Sequence, residues 1–153
     1  MKILVSACLL GENCKYSGGN NYNQAVCDFA RGHQVVLVCP EVLGGLPTPR
    51  CPAEIVKGVV TNKEGINVDR EFQAGAAKAL AIAKENGVEL AILQSRSPSC
   101  GVKEIYDGTF SGTKIPGQGV FAKMLMDEGI RVLDAGELPK IILKNEDGKC
   151  QSN

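Results

Sequence analysis

Four short runs of apolar, largely β-branched residues recur along the chain and predict buried parallel strands. They lie at residues 2–6 (KILVS), 34–38 (QVVLV), 89–93 (ELAIL) and 131–133 (RVL). Between them, apolar positions at helical spacing over residues 69–86 predict a long helix, N-capped by Asp69. Shorter helices are predicted over 23–31 and 119–128. The alternation of strands and helices predicts an α/β fold: a single Rossmann-like, doubly wound domain with a mainly parallel sheet.

Residues 54–68 (EIVKGVVTNKEGINV) interrupt this alternation. Two β-like runs flank residues 62–65 there, which predicts a β-hairpin excursion with its turn at those residues. Residues 144–153 (KNEDGKCQSN) are polar, and we expect them to form a frayed tail. The predicted organisation is therefore one domain over 1–143, followed by a polar tail over 144–153.

Composition and charge narrow the classes of partner. The chain has 153 residues, of which 44% are hydrophobic, enough to build one buried core. Lys plus Arg (17) balances Asp plus Glu (17), so no basic excess is available to bind nucleic acid or an anionic membrane. The apolar runs fall far short of the roughly 20 residues that span a bilayer, and the N-terminal run is too short for a signal peptide. We expect a cytoplasmic protein with a small-molecule partner; its oligomeric state is left open.

Cysteine usage is the unusual feature of the composition. Seven Cys residues and one His are present, and no two Cys stand in a CxxC pair. An odd cysteine count without an export signal favours reduced thiols over a disulfide framework. With a single imidazole available, thiolates would have to supply most of the ligands of any bound metal.

Three of the cysteines follow predicted strands. Cys8 comes two residues after the first strand, Cys39 directly after the second, and Cys100 in the loop after the third. The carboxyl ends of parallel strands share one edge of the sheet, where ligands bind, so these thiols are expected to converge. Three interpretations stay open from the residues alone. The thiols could be small buried core groups, ligands of a soft metal such as an iron–sulfur cubane or zinc, or nucleophiles.

Groups suited to acid–base chemistry stand beside these thiols. Glu41 lies two residues after Cys39, and Ser97 and Ser99 flank Pro98 just before Cys100. If the thiols converge, a carboxylate and two hydroxyls would join them in the same crevice.

At these residues the sequence resembles a known family. The segments that carry the resemblance are LVSACLLGENCKYSGGNNYN, VCPEVLGGLPTPRCPAEIV, SRSPSCG and IYDGTFSG. Together they resemble a small prokaryotic family formerly of unknown function, the thiouracil desulfidases. The resemblance extends from Met1 to about Asp134, and its long motif strings have few chance matches.

The resemblance implies a cofactor, a reaction and a set of site residues. It implies a [4Fe-4S] cluster held by Cys8, Cys39 and Cys100, with the fourth iron open to the sulfur of a thiolated nucleobase. The implied reaction converts 2-thiouracil or 4-thiouracil to uracil and hydrogen sulfide without net redox chemistry, which makes 1–143 an iron–sulfur desulfidase domain of hydrolase type. Glu41 and Ser97 would be catalytic, and Ser99 would bind substrate. In this interpretation Glu41 is a general base for water.

Two further thiols and two other functions are left open by the sequence. Cys14 stands six residues after Cys8, and Cys51 departs from the residue expected after the PTPR string, so either thiol could reach the cluster. The alternative functions are a non-catalytic metal-binding protein, with zinc or an iron–sulfur cluster, and a thiol-based sulfur-transfer protein.

Overall fold

The computed structural model describes residues 1–138, and its elements alternate much as the sequence predicts. In chain order they are β1 (Lys2–Ser6), α1 (Gln24–Ala30), β2 (Gln34–Val38), α2 (Pro40–Leu43), β3 (Ala53–Val56), β4 (Val59–Asn62), α3 (Asp69–Glu85), β5 (Leu90–Leu93), β6 (Glu104–Tyr106), β7 (Lys114–Pro116), α4 (Val120–Asp127) and β8 (Arg131–Asp134). Short 3-10 turns follow β1 and β8, at Ala7–Leu10 and Ala135–Glu137. The predicted tail over 144–153 lies outside the described residues.

The central sheet has the strand order β2-β1-β5-β8, and every neighbouring pair is parallel. Ile3 of β1 pairs with Val35 on one side and Leu90 on the other, which makes β1 a central strand. The chain runs outward from β1 to β2 and then returns to β5 on the opposite side of β1. This reversal opens a crevice at the carboxyl ends of β1, β2 and β5. The predicted doubly wound α/β fold with a mainly parallel sheet is confirmed.

Both faces of the sheet are covered by helices. On one face, Leu4 and Leu93 pack with the small buried side chains of α3 and with Phe121 of α4. On the other face, Ile3 and Ile92 pack with Val26 of α1. Because β1 and β5 are buried on both faces, they need apolar residues at consecutive positions, whereas the edge strand β2 leaves Val35 and Leu37 exposed.

The short helix α2 packs against α3 through two glycines. A Cβ atom on Gly75 of α3 would overlap the carbonyl oxygen of Pro40 and lie 2.8 Å from the backbone nitrogen of Gly44. A Cβ on Gly44 would likewise overlap the carbonyl oxygen of Glu71. The missing side chains therefore set how closely α2 approaches the body of the domain.

We expect Gly75→Ala to destabilise the protein by about 1–3 kcal/mol, the usual cost of forcing extra volume into a packed interior. The better helix propensity of Ala would offset at most about 1 kcal/mol of this cost. Urea unfolding measures the effect, with the exposed Ala77→Ser on the same helix as control. An unchanged free energy of unfolding in Gly75→Ala would show that α2 moves aside without cost.

Two antiparallel hairpins lie outside the central sheet. The predicted turn at 62–65 is confirmed, because Thr61 and Asn67 form an antiparallel bridge across it. The strands β3 and β4 pair across another turn, at Lys57 and Gly58, which the periodicity did not predict. Lys57 and Gly58 both have positive φ angles, 50° and 83°, as a two-residue hairpin turn requires. Residues 62–65 form a second chain reversal, in which the Asn62 side chain accepts hydrogen bonds from the backbone N–H groups of Glu64 and Ile66. The second hairpin, β6 with β7, is an element that the periodicity did not predict.

The start of the long helix also differs from the prediction. Asp69 is the first residue of α3 rather than its N-cap, which is Val68. The Asp69 carboxylate accepts a hydrogen bond from the backbone N–H of Val60 instead, at 3.1 Å. It therefore ties the helix to the neighbouring hairpin strand. Among residues 1–138, none of the helices combines the length and the apolar character needed to cross a bilayer.

Candidate functional site

A cavity of about 510 Å³ opens at the carboxyl ends of β1, β2 and β5. Cys8, Cys39 and Cys100 all line it, each in the segment that follows one of these strands. The parallel sheet thus brings together thiols that are 31 and 61 residues apart in sequence. Glu41 and Ser97 line the same cavity.

The thiols of Cys8 and Cys39 are acidic for cysteines. A hydrogen bond from the Cys14 thiol, with a smaller one from the Asn21 amide, lowers the pKa of Cys8 to about 7. The same Cys14 thiol, followed by the backbone N–H of Val42, lowers the pKa of Cys39 to about 6. Both effects outweigh partial burial, which opposes ionisation. Both thiols therefore ionise more readily than ordinary cysteines.

Cys14 is the donor between these two side chains. Its side chain hydrogen-bonds to both Cys39 and Cys8, and these bonds raise its own pKa so that it stays protonated. Its carbonyl oxygen accepts a hydrogen bond of 2.8 Å from Nη2 of Arg50. Cys14 therefore lies at the cavity as a thiol rather than a thiolate.

Cys100 differs from the other two strand-end cysteines. It is buried beneath the cavity, and burial raises the pKa of its thiol to about 12, against weaker opposing hydrogen bonds from Ser6 and Ser99. A cation bound beside it would reverse this preference, because thiols that coordinate metals are deprotonated.

Glu41 is held by a buried ion pair. Its Oε1 accepts a hydrogen bond of 3.0 Å from Nε of Arg50, and the two side chains are only 15% and 6% exposed. The remaining Arg50 donors bind the Pro47 carbonyl, the Thr48 hydroxyl and the Cys14 carbonyl. Glu41 is the second residue of the helix α2, and its carboxylate is fixed in the cavity wall rather than free in solvent.

The second carboxylate oxygen of Glu41, Oε2, is connected to two serine hydroxyls by successive hydrogen bonds. Ser99 Oγ donates to Glu41 Oε2 at 2.8 Å and lies 2.8 Å from Ser97 Oγ. Ser97 Oγ in turn accepts hydrogen bonds from the backbone N–H groups of Ser99 (3.1 Å) and Cys100 (3.0 Å). Carboxylate, hydroxyls and backbone donors thus form one connected array next to the three thiols.

The outer wall of the cavity comes from the two hairpins. Tyr106 and Phe110, on and after β6, line it, and so does Tyr16. Oε1 of Glu54, on β3, accepts hydrogen bonds from the backbone N–H groups of Gly108 (2.9 Å) and Phe110 (3.1 Å), so it ties one hairpin to the other. Aromatic rings at this wall suit a planar, partly apolar ligand.

Comparison with known proteins decides the family. Residues 3–137 match the 2-thiouracil desulfurase family. The chain belongs to this family. It is 42% identical over 150 residues to the uncharacterised protein YbbK of Bacillus subtilis, covering 92% of this chain and 99% of YbbK. It also resembles a solved structure described as the [4Fe-4S]-dependent thiouracil desulfidase TudS, with a TM-score of 0.83 and 40% identity, covering 95% of this chain and 97% of that one.

The predicted site residues of this thiouracil desulfurase chain can now be located. Cys8, Cys39, Cys100, Glu41 and Ser97 line one cavity, and their roles as ligands and catalytic groups stay predictions. Ser99 borders it too, but its side chain is almost entirely buried and its hydroxyl is directed to Glu41. A direct contact of Ser99 with substrate stays a prediction as well.

The other cysteines of the desulfurase chain behave differently. Cys51 is a half-buried free thiol that does not line the cavity. Cys27, on α1, forms a disulfide, so the expectation of reduced thiols is wrong at this position. The sequence alone does not show that Cys27 is paired.

Sequence reasoning missed two connections within the site. The sequence assigns no partner to Arg50, which binds Glu41 nine residues away and the Cys14 carbonyl 36 residues away. Ser99 was expected at the substrate rather than at Glu41, 58 residues away. The PTPR and SPSC strings contain these residues, but neither string specifies a partner.

Proposed function

We propose that this protein is a [4Fe-4S]-dependent thiouracil desulfidase, which converts 2-thiouracil or 4-thiouracil to uracil and hydrogen sulfide without net redox chemistry. The observation that carries the proposal is the convergence of Cys8, Cys39 and Cys100 beside Glu41 in one cavity. The match to the family and the 40% identity to the [4Fe-4S]-dependent TudS support the same reaction.

The donor set fits an iron–sulfur cluster. Cys8, Cys39 and Cys100 are the residues that would hold it, since thiolates are the ordinary ligands of such clusters. Among the described residues, no three His, Cys, Asp or Glu side chains lie close enough together to hold a single metal ion. A cubane needs less crowding than a single ion, because each thiolate binds a different iron. When bound, such a cluster supplies a Lewis acid for the soft sulfur of a thiocarbonyl.

The side chains of the protein supply the rest of the chemistry. Glu41 is the proton acceptor for a water that adds to the thiocarbonyl carbon, because it is the carboxylate that the fold holds next to the thiols. Ser97, on the cavity surface, hydrogen-bonds the reacting groups. Tyr106 and Phe110 pack against the planar ring of the substrate.

Cluster loading and sulfide release test the proposal together. The protein would be purified and reconstituted without oxygen, and we expect a brown sample with broad absorption near roughly 400 nm, typical of iron–sulfur proteins. Sulfide release would then be measured with 2-thiouracil and 4-thiouracil. Uracil, which carries no sulfur to release, is the control. A colourless zinc protein, or an iron–sulfur protein that releases no sulfide from either compound, would contradict the proposal and favour a metal-binding role.

We expect Cys14→Ala to keep the iron content of the wild-type protein. The three proposed ligands are Cys8, Cys39 and Cys100, so Cys14, which hydrogen-bonds to two of them, is not needed as a ligand. Iron and acid-labile sulfide per chain measure this, with Cys51→Ala as the matched control. Loss of iron in Cys14→Ala alone would mean a closed set of four cysteine ligands, and therefore no iron open to substrate.

A further inference from the structure

The hydroxyl of Ser99 bridges the two residues expected to be catalytic. It lies 2.8 Å from Glu41 Oε2 on one side and 2.8 Å from Ser97 Oγ on the other. No direct hydrogen bond joins the side chains of Ser97 and Glu41 among the contacts of the described residues. The hydrogen-bonded connection between the two side chains runs through Ser99 Oγ.

Counting donors fixes the direction of these bonds. An ionised carboxylate only accepts hydrogen bonds, so the single hydroxyl proton of Ser99 goes to Glu41 Oε2 at 2.8 Å rather than to the more distant Cys100 Sγ at 3.7 Å. Ser97 then donates its own proton to Ser99 Oγ. Ser97 Oγ also accepts hydrogen bonds from the backbone N–H groups of Ser99 and Cys100, which hold it in this position. The array therefore points from Ser97 through Ser99 to Glu41.

Burial and ion pairing keep this array in one arrangement. Ser99 is only 2% exposed, which keeps bulk water away from its hydroxyl. Arg50 binds Oε1 of Glu41 and leaves Oε2 to Ser99. Ser97 is half-buried at the cavity surface, where a substrate or a water can reach it.

We propose that Ser99 is a positioning residue that passes a proton from Ser97 to Glu41 during desulfuration, a role that rests on the function proposed above. The O–H bond of Ser97 breaks as its proton moves to Ser99 Oγ, and the proton of Ser99 moves to Glu41 Oε2. In the same step the attacking water gives its proton to Ser97 Oγ, and the two backbone N–H groups stabilise the negative charge that develops on this oxygen. In total one proton moves from water to Glu41, and no electrons are transferred.

A double-mutant cycle tests the relay. Ser97→Ala, Ser99→Ala and the double variant would be reconstituted, and sulfide release from thiouracil expressed per bound cluster. We expect each single change to lower turnover by about 10- to 100-fold, within the usual range for proton transfer. The double variant should be no slower than the slower single variant, because residues in one relay act as a unit. Multiplicative losses, or full turnover in Ser99→Ala, would overturn the relay.

Solvent isotope effects supply a readout that a packing role for Ser99 would not change. Single-turnover rates would be measured in mixtures of H₂O and D₂O. We expect a curved dependence on deuterium fraction in the wild type, from several protons in motion, and a linear one in Ser99→Ala. The same curvature in both would overturn the relay. If the wild type releases no sulfide, the proposed function itself fails; a fully active wild type with an unaffected Ser99→Ala rejects the relay alone.

Ser111→Ala is the control for removing a serine hydroxyl from another hydrogen-bonded set. Ser111 Oγ lies 2.6 Å from Thr109 Oγ1 and 2.8 Å from Thr113 Oγ1, and Ser111 is exposed and does not line the cavity. We expect its turnover per cluster and its isotope dependence to match those of the wild type.

Discussion

Changing Cys8, Cys39 or Cys100 singly to Ser is expected to remove most of the bound iron and nearly all sulfide release. A serine hydroxyl is a hard, weakly acidic donor and a poor substitute for a thiolate on iron. The remaining free thiol at the cavity, Cys14, hydrogen-bonds to two of these residues and is not one of the three expected ligands, so we expect it not to replace a lost ligand. Iron and acid-labile sulfide per chain, measured after identical anaerobic reconstitution, report the loss directly.

The matched control for these changes is Cys51→Ser. Cys51 is also a free, half-buried thiol, but it lies outside the cavity lining, so its iron content should equal that of the wild type. Thermal unfolding of the cluster-free variants separates a lost ligand from a misfolded chain. Iron that survives all three single changes would refute the assigned ligand set.

Glu41→Gln is expected to load a normal cluster yet lower turnover by about 10²- to 10⁴-fold, the usual contribution of general acid–base catalysis. Glutamine keeps the shape and hydrogen-bonding capacity of the side chain but does not accept a proton. The change also leaves the buried Arg50 without its anionic partner, and breaking a buried pair costs roughly 3–5 kcal/mol. Rates must therefore be expressed per bound cluster and measured well below the unfolding temperature.

The exposed Glu64→Gln is the control for the same chemical change elsewhere in the chain. It should alter neither iron content nor turnover. If Glu41→Gln with full iron content releases sulfide at the wild-type rate, Glu41 is not the base and the proton must go to another group.

Local patterns were sufficient to predict the frame of the fold. The strands Lys2–Ser6 and Gln34–Val38 have the bounds that their apolar runs indicate. The first is buried on both faces and needs apolar residues throughout, whereas the second is an edge strand that leaves Val35 and Leu37 exposed. The helix Asp69–Glu85 likewise follows its apolar spacing to within one residue of the predicted end. The position of three cysteines after such strands then predicted where the thiols lie, since parallel strands end at a common edge.

Contacts between distant segments could not be predicted in this way. The turn at Lys57 and Gly58 was missed because Lys57, a residue that rarely adopts positive φ, adopts it here. Asp69 was assigned a local capping role, whereas its carboxylate binds the N–H of Val60. The pairing of Glu41 with Arg50 and Ser99 likewise depends on tertiary packing, and the same side chains could have formed many other local pairs.

The cavity has walls of two different origins, and this has an evolutionary consequence. The thiols follow strands of the central sheet, whose side chains are fixed by packing on both faces. The outer wall comes from two hairpins beyond that sheet, joined to each other through Glu54. Substitutions, insertions or exchanged loops in the hairpins leave the strands that precede the three cysteines unaltered. Proteins that descend from this one can therefore differ in which thiolated compounds they accept while keeping the same iron–sulfur site.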